Sequence, residues 1–302
     1  MSASAETRPA RPAVATPAAP VAARRPPGVL SRLLREPSAA IALGAVVLIL
    51  LAAVLAPVLA PSDPYDNDLA RAMLPPGSPG LPLGADVQGR DMVTRLLYGL
   101  RVSLLLSLAA TVSGGLVGAL LGFLAAFHGG WLDGLIMRLM DMLLSFPAIL
   151  VGLALAAILG PGLMPVVAAL AVATVPLMAR IVRGSALVVM GLDYVAAART
   201  LGTANALLIL RHLVPNCLSP IMVFATLRFG QVILLGSALS FLGMGAQPPL
   251  AELGAMASEG RNFLFFAPHI AVVPCVAIFI IVLAFNVLGD ALRDALDPRL
   301  SF

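Results

Sequence analysis

Six stretches of this chain, 38–60, 103–127, 135–160, 164–182, 216–244 and 268–288, are apolar over the length that a bilayer demands. A hydrocarbon core about 30 Å thick is crossed by a helix of about 20 residues, because within it each backbone N–H and C=O must find its partner inside the segment. The runs therefore predict six transmembrane helices. Composition agrees: 60% of residues are hydrophobic and 11% charged, the mean hydropathy is +1.00, and soluble domains carry about 25% charged residues. The fold class is an all-α polytopic membrane protein.

Orientation follows from the cations, which are all arginine. Thirteen lie in the N-terminal tail, around Arg138, between 180 and 215, or in the C-terminal tail. Arg71, Arg90, Arg95, Arg101 and Arg261 fall on the opposite side, and Arg228 lies within a span. Cationic loops stay in the cytoplasm, so both termini are expected there. Residues 1–37 are rich in Pro, Ala and Arg without apolar periodicity, which predicts a disordered cytoplasmic tail running into a short basic helix at "SRLLRE". That tail has no apolar core of a secretory signal. Residues 38–60 form the first span, 61–102 an extracytoplasmic segment, and 103–302 a five-helix core with a cytoplasmic loop at 191–215. In the outer segment Asp91 and Arg95 stand four apart, which predicts a bracing pair on an amphipathic helix ahead of the second span.

The residues that are missing exclude chemistry. Without lysine there is no GxxxxGK[ST] phosphate loop and no Schiff base. Cys217 and Cys275 sit in or beside apolar segments and read as small packing residues. His128, His212 and His269 stand in no HExxH or GxSxG setting, so no catalytic, cofactor or metal residue is expected on this chain. No basic stripe interleaved with aromatics points to nucleic acid. Arg138 and Asp141, three apart, predict a structural ion pair at the inner end of the third span. Gly114, Gly118 and Gly122 predict a groove in which a neighbouring helix backbone approaches closely. Near the end of the fifth span, "GSALSFLGMGAQPP" brings hydroxyls to membrane depth, so Ser237, Ser240 and Phe241 are candidates for a translocation path, with ordinary helix packing as the alternative.

One polar interruption remains, "DYVAAARTLGTANALLILRHLVP" at 193–215. Asp193 is a good N-cap, the alanines favour a short helix, and Gly202 can end it in a left-handed conformation. A second helix is expected up to Pro215, with Leu207, Leu208, Leu210, Leu213 and Val214 as its apolar face. Arg199 is expected to face water. A mere connector has no need of such a small-residue surface.

This stretch resembles the EAA loop of ABC importer permeases, with Ala197, Ala198, Gly202 and Pro215 in register. Ala196 stands at the family's Glu, and His212 and Val214 replace its Ile and Leu. "HGGWLDGLIMRLMDMLLSFPAILVGLAL", "ALSFLGMGAQPPLAELGAMASEGRNFLFFAPH" and "AFNVLGDALRDALDPRL" are similar to the C-type permease of dipeptide, oligopeptide and nickel importers, except that Gly236 stands where many relatives carry an acid. The resemblance implies a type I ABC importer permease in a bacterial cytoplasmic (inner) membrane. It also implies a second homologous permease, two cytoplasmic ABC ATPases that hold the ATP and Mg, and an extracytoplasmic binding protein. Tyr194, Ala196, Ala197, Ala198, Arg199, Gly202, His212 and Pro215 would then contact the ATPase. Di- or oligopeptide is the implied cargo, with nickel or glutathione as the family's alternatives. An ion-coupled secondary transporter would need intramembrane carboxylates and inverted repeats, and neither is evident.

Overall fold

A computed structural model describes residues 29–296. The disordered tail expected from the start of the chain therefore lies, up to residue 28, outside the described residues. In chain order the α-helices are α1 (Val29–Leu33), α2 (Pro37–Val54), α3 (Ala56–Leu59), α4 (Met92–His128), α5 (Gly130–Leu144), α6 (Ala148–Leu159), α7 (Leu163–Met190), α8 (Asp193–Thr200), α9 (Asn205–Leu208), α10 (Val214–Phe241), α11 (Leu253–Gly260) and α12 (His269–Leu296). Among the described residues, five helical stretches are long and apolar enough to cross a membrane. A sixth crossing exists if α5 and α6, bent by 85°, count as one span.

That bend revises the expected continuous span at 135–160. The break falls at Ser145, Phe146 and Pro147, and Pro147 stands at the N-cap of α6. Proline lacks the N–H that a continuing helix would use and pushes its predecessor out of the α region. The first span is interrupted too: α2 ends at Val54, and α3 restarts with Pro57 in its first turn.

The second crossing is longer than expected. Among the described residues no separate amphipathic α-helix precedes it within 61–91, only a 3-10 turn at Leu69–Arg71, because α4 runs unbroken for 37 residues, about 55 Å at 1.5 Å per residue. Asp91 starts it as an N-cap, its carboxylate accepting from the Val93 and Thr94 amides at 3.3 and 2.8 Å.

The glycines of α4 meet the backbone of α7, as the spacing predicts. A Cβ added at Gly118 would stand 2.5 Å from the Val175 carbonyl oxygen, and one at Gly122 2.6 Å from that of Ala179. Arg183 ties α7 to α5 through Nε and Nη2, both 2.5 Å from the Asp133 carboxylate. Asp141 pairs across the same interface with Arg180, which replaces the local pair expected with Arg138. Around this ladder, Phe229, Ile233, Ile281 and Phe285 join α10 to α12, while Phe123, Val182, Val195, Leu213 and Cys217 close the other end. Cys217 is a packing residue as expected, whereas Cys275 is exposed.

Candidate functional site

The helix–turn element after α7 is held by few contacts of its own. Within α8, Val195 alone is buried, at 2% exposure, and it packs into the cluster of Phe123, Val182, Leu208 and Leu213. Ala196, Ala197 and Arg199 are exposed and Ala198 is half-buried. The N-cap is Leu192, without a side-chain hydrogen bond, and Asp193 occupies the first turn. There its charge still complements the helix dipole, although the expected capping bond is not made.

The end of α8 follows from Gly202. Its φ is +77°, the left-handed region that side-chain-bearing residues avoid. The Thr203 amide donates to the Ala198 carbonyl at 3.2 Å and the Gly202 amide to that of Arg199 at 3.1 Å, the pair of bonds that closes a Schellman turn.

Beyond the turn the expected separate helix is instead the root of the fifth span. α9 passes through a π-turn at Ile209–Leu213 into α10, and the helical stretch is continuous over Asn205–Phe241. Pro215 does not stop it: the π-turn directly before it, closed by the Val214 amide on the Ile209 carbonyl, widens the helix where the proline N–H is missing. The expected apolar face is divided: Leu208 and Leu213 are fully buried, while Leu207 and Leu210 are exposed.

Two ring contacts missed by local spacing fasten this element to the spans. The Arg199 guanidinium lies over the Phe127 ring at the C-terminal end of α4, 5.3 Å from its centroid, within cation–π range. Arg199 is thus both exposed and stacked. Tyr194 packs against His212, with ring centroids 5.9 Å apart.

The three path candidates gather where α10 ends. Ser237 and Ser240 are buried, and among the described residues neither hydroxyl has a hydrogen-bond partner. Phe241 is partly exposed beneath Arg261, whose guanidinium lies 5.8 Å from the ring centroid. Ser237 and Phe241 line an open apolar cleft of about 620 Å³ together with Ile278 and Phe279 of α12.

At the same end of the spans, away from α8, Asp86, Arg90 and Arg95 are buried beside the half-buried Glu259. Arg90 Nε and Arg95 Nη1 lie 2.6 and 3.0 Å from Asp86 Oδ2, and their Nη2 atoms lie 3.2 and 3.1 Å from Glu259 Oε2. The expected Asp91–Arg95 brace is therefore corrected: Asp91 caps α4, and Arg95 turns to Asp86 and to α11. Burial pushes the Glu259 carboxyl up from its ordinary value, while the Arg90 guanidinium pulls it back and Asp86 adds to the rise. Nearby, Glu252 caps α11 and accepts from the Ser103 hydroxyl at 2.9 Å. The 84–95 region, α4 and α11 are thus clamped at one place.

Removing one cation from this cluster should be destabilising. Arg95→Met leaves the buried Asp86 and the half-buried Glu259 to one guanidinium, and stability should fall by about 3 kcal/mol at neutral pH. The loss should shrink at weakly acidic pH. A carboxyl whose folded-state pKa is raised stabilises the fold when protonated, and that contribution disappears as pH rises through the raised pKa. Thermal melts in detergent at the two pH values test this; a pH-independent loss would contradict it.

Comparison with known proteins matches this architecture. Residues 118–302 fit the model of the binding-protein-dependent transport system inner membrane component, and residues 28–76 that of the N-terminal TM domain of oligopeptide transport permease C. The glutathione transport system permease protein GsiD of Pectobacterium atrosepticum is 45% identical over 218 residues, 72% of each chain. The protein of the same name from Escherichia coli O6:K15:H31 is 47% identical over 217 residues, again 72% of each. Among solved structures, a chain of the inward-facing MetNI methionine ABC transporter superposes with a TM-score of 0.56 at 19% identity, covering 67% of this chain and 97% of that one. The fold is that of a type I ABC importer permease, a multi-pass subunit and not an enzyme. The chain belongs to the family of binding-protein-dependent transport system inner membrane components.

Proposed function

We propose that this permease imports short peptides, pairs with a second homologous permease, and takes its energy from two cytoplasmic ABC ATPases that bind the ATP and Mg. Both termini are cytoplasmic in this reading, by the distribution of arginine. An extracytoplasmic binding protein delivers the cargo. Glutathione, a tripeptide, is the first cargo to test, because the relatives at 45 and 47% identity carry that substrate in their names.

The observation that carries the proposal is α8, an alanine-faced helix displayed beyond the spans and terminated by a left-handed glycine. Tyr194, Ala196, Ala197, Ala198 and Arg199 form the surface offered to an ATPase, with Gly202, His212 and Pro215 setting its angle. Its links lead to two different spans. Arg199 stacks on Phe127 of α4, and the turn after Gly202 continues into α10 without a break. Closure of an ATPase dimer beneath α8 would therefore move both as rigid bodies, shifting the Ser237, Ser240 and Phe241 region between outward and inward access.

Reconstitution tests the whole reading. Proteoliposomes holding the two permeases and the ATPases, supplied with the cognate binding protein, should accumulate radiolabelled glutathione or a dipeptide only with internal ATP. Uptake by this chain alone, driven by an ion gradient, would overturn it.

A further inference from the structure

A groove between α2, α4, α10 and α12 carries chemistry that peptide import does not use. It encloses about 710 Å³ and is walled by Leu50 and Val54 of α2, Leu104 and Leu108 of α4, and Phe229 of α10. Two threonines line it without offering a polar surface. The Thr226 hydroxyl is given to the Met222 carbonyl at 2.9 Å, and the Thr111 hydroxyl is buried, without a hydrogen-bond partner among the described residues. The exception is Arg101, an exposed guanidinium that lines the groove. No carboxylate among the described residues pairs with it.

The depth of this cation is informative. Arg101 stands nine residues into α4 and two residues ahead of the apolar stretch 103–127 that the sequence assigns to the hydrocarbon. From it the apolar wall descends to Val112, a rise of about 16 Å along the helix, comparable with the length of an acyl chain. A cation at headgroup depth above an apolar trough complements an amphiphile with an anionic head. A short peptide is a poor occupant, since its amides would go unsatisfied against these walls. A helix of another subunit that buried Arg101 would have to bring it a carboxylate.

We infer that this groove holds one phospholipid, its phosphate diester on the Arg101 guanidinium and an acyl chain laid along α4 between α2 and α10. The lipid belongs to the outer leaflet under the orientation proposed above. Guanidinium and phosphate make charge-assisted, bidentate hydrogen bonds, and the chain covers apolar surface between the first span and the core.

Native mass spectrometry of the purified transporter complex, titrated with dioleoylphosphatidylglycerol, tests the inference. One lipid should be retained in preference to dioleoylglycerol, which has the same tails without the phosphate. Arg101→Gln should weaken retention about tenfold. Leu108→Trp, which fills the trough and leaves the cation, should do the same. Displacement of the lipid by millimolar inorganic phosphate would reduce the site to its headgroup contact and overturn the acyl groove. Wild-type retention in both variants, or equal retention of dioleoylglycerol, would refute the site. Loss of the second permease from the variants in place of lipid would make the groove a subunit contact, and the lipid inference would fail.

Discussion

With Gly114, Gly118 and Gly122 all replaced by alanine, the chain should still insert but should no longer hold α4 against α7. At Gly118 and Gly122 the new Cβ would stand 2.5 and 2.6 Å from carbonyl oxygens of α7, and at Gly114 it would overlap that of Ala171. Backbone atoms in two packed helices cannot swing aside as a side-chain tip can. The helices must separate, at about 1 to 3 kcal/mol for each overpacked site. Separation also loosens the van der Waals contact that drives association where lipid is as apolar as the side chains. The matched control is Gly44→Ala in α2, where an added Cβ meets nothing within 4 Å; there alanine should be neutral or stabilising, since it is the better helix former by about 1 kcal/mol. Cys217 reports the outcome in a Cys275→Ser background, because it is fully buried. Its reaction with a thiol dye in detergent should be fast in the triple variant and slow in the control. Equal rates would mean that the glycine ladder does not hold the core.

That ladder was legible because its cause is local: three glycines at a spacing of four make one stripe whatever they face. The spans were legible for the same reason, since apolar length is a property of a segment. What stayed hidden was set by partners distant in the chain. Arg95 finds Glu259 164 residues away, and the nearest acid at helical spacing, Asp91, was instead drawn to the free amides at the start of α4. Arg180 took Asp141 from Arg138 in the same way. Prolines misled in both directions. Pro147 broke a run that hydropathy alone would continue, whereas Pro215, expected to end a helix, follows a π-turn inside a continuous one. In the 193–215 region the turn at Gly202 was readable from residue type, but the stacking of Arg199 on Phe127 required the fold.

Gly202→Val should leave the protein inserted and paired with its fellow permease while uncoupling ATP hydrolysis from uptake. At φ +77° a left-handed backbone costs a side-chain-bearing residue about 1 to 2 kcal/mol, more for a branched one. The space around Gly202 is open, with nothing within 4 Å of an added Cβ, so the strain comes from the dihedral angle alone. It can be relieved by re-aiming α8, which is anchored by the buried Val195 and the ring contacts of Tyr194 and Arg199. Asparagine tolerates the same backbone conformation, so Gly202→Asn should restore most of the coupling. A bulk effect would not distinguish the two so sharply, since valine and asparagine are of similar size. Ala197→Trp provides an independent arm: Ala197 is exposed, so an indole there disturbs nothing within this chain and can act only on a partner. Ala196→Glu, which restores the family residue at another exposed site, should be tolerated. The readouts are retention of the ATPases on affinity purification and the ratio of peptide imported to ATP hydrolysed in proteoliposomes. Gly202→Val should lower that ratio at least about tenfold, equivalent to the strain it introduces, and Ala197→Trp should shed the ATPases. Wild-type coupling in both would leave α8 as a connector between α7 and α10.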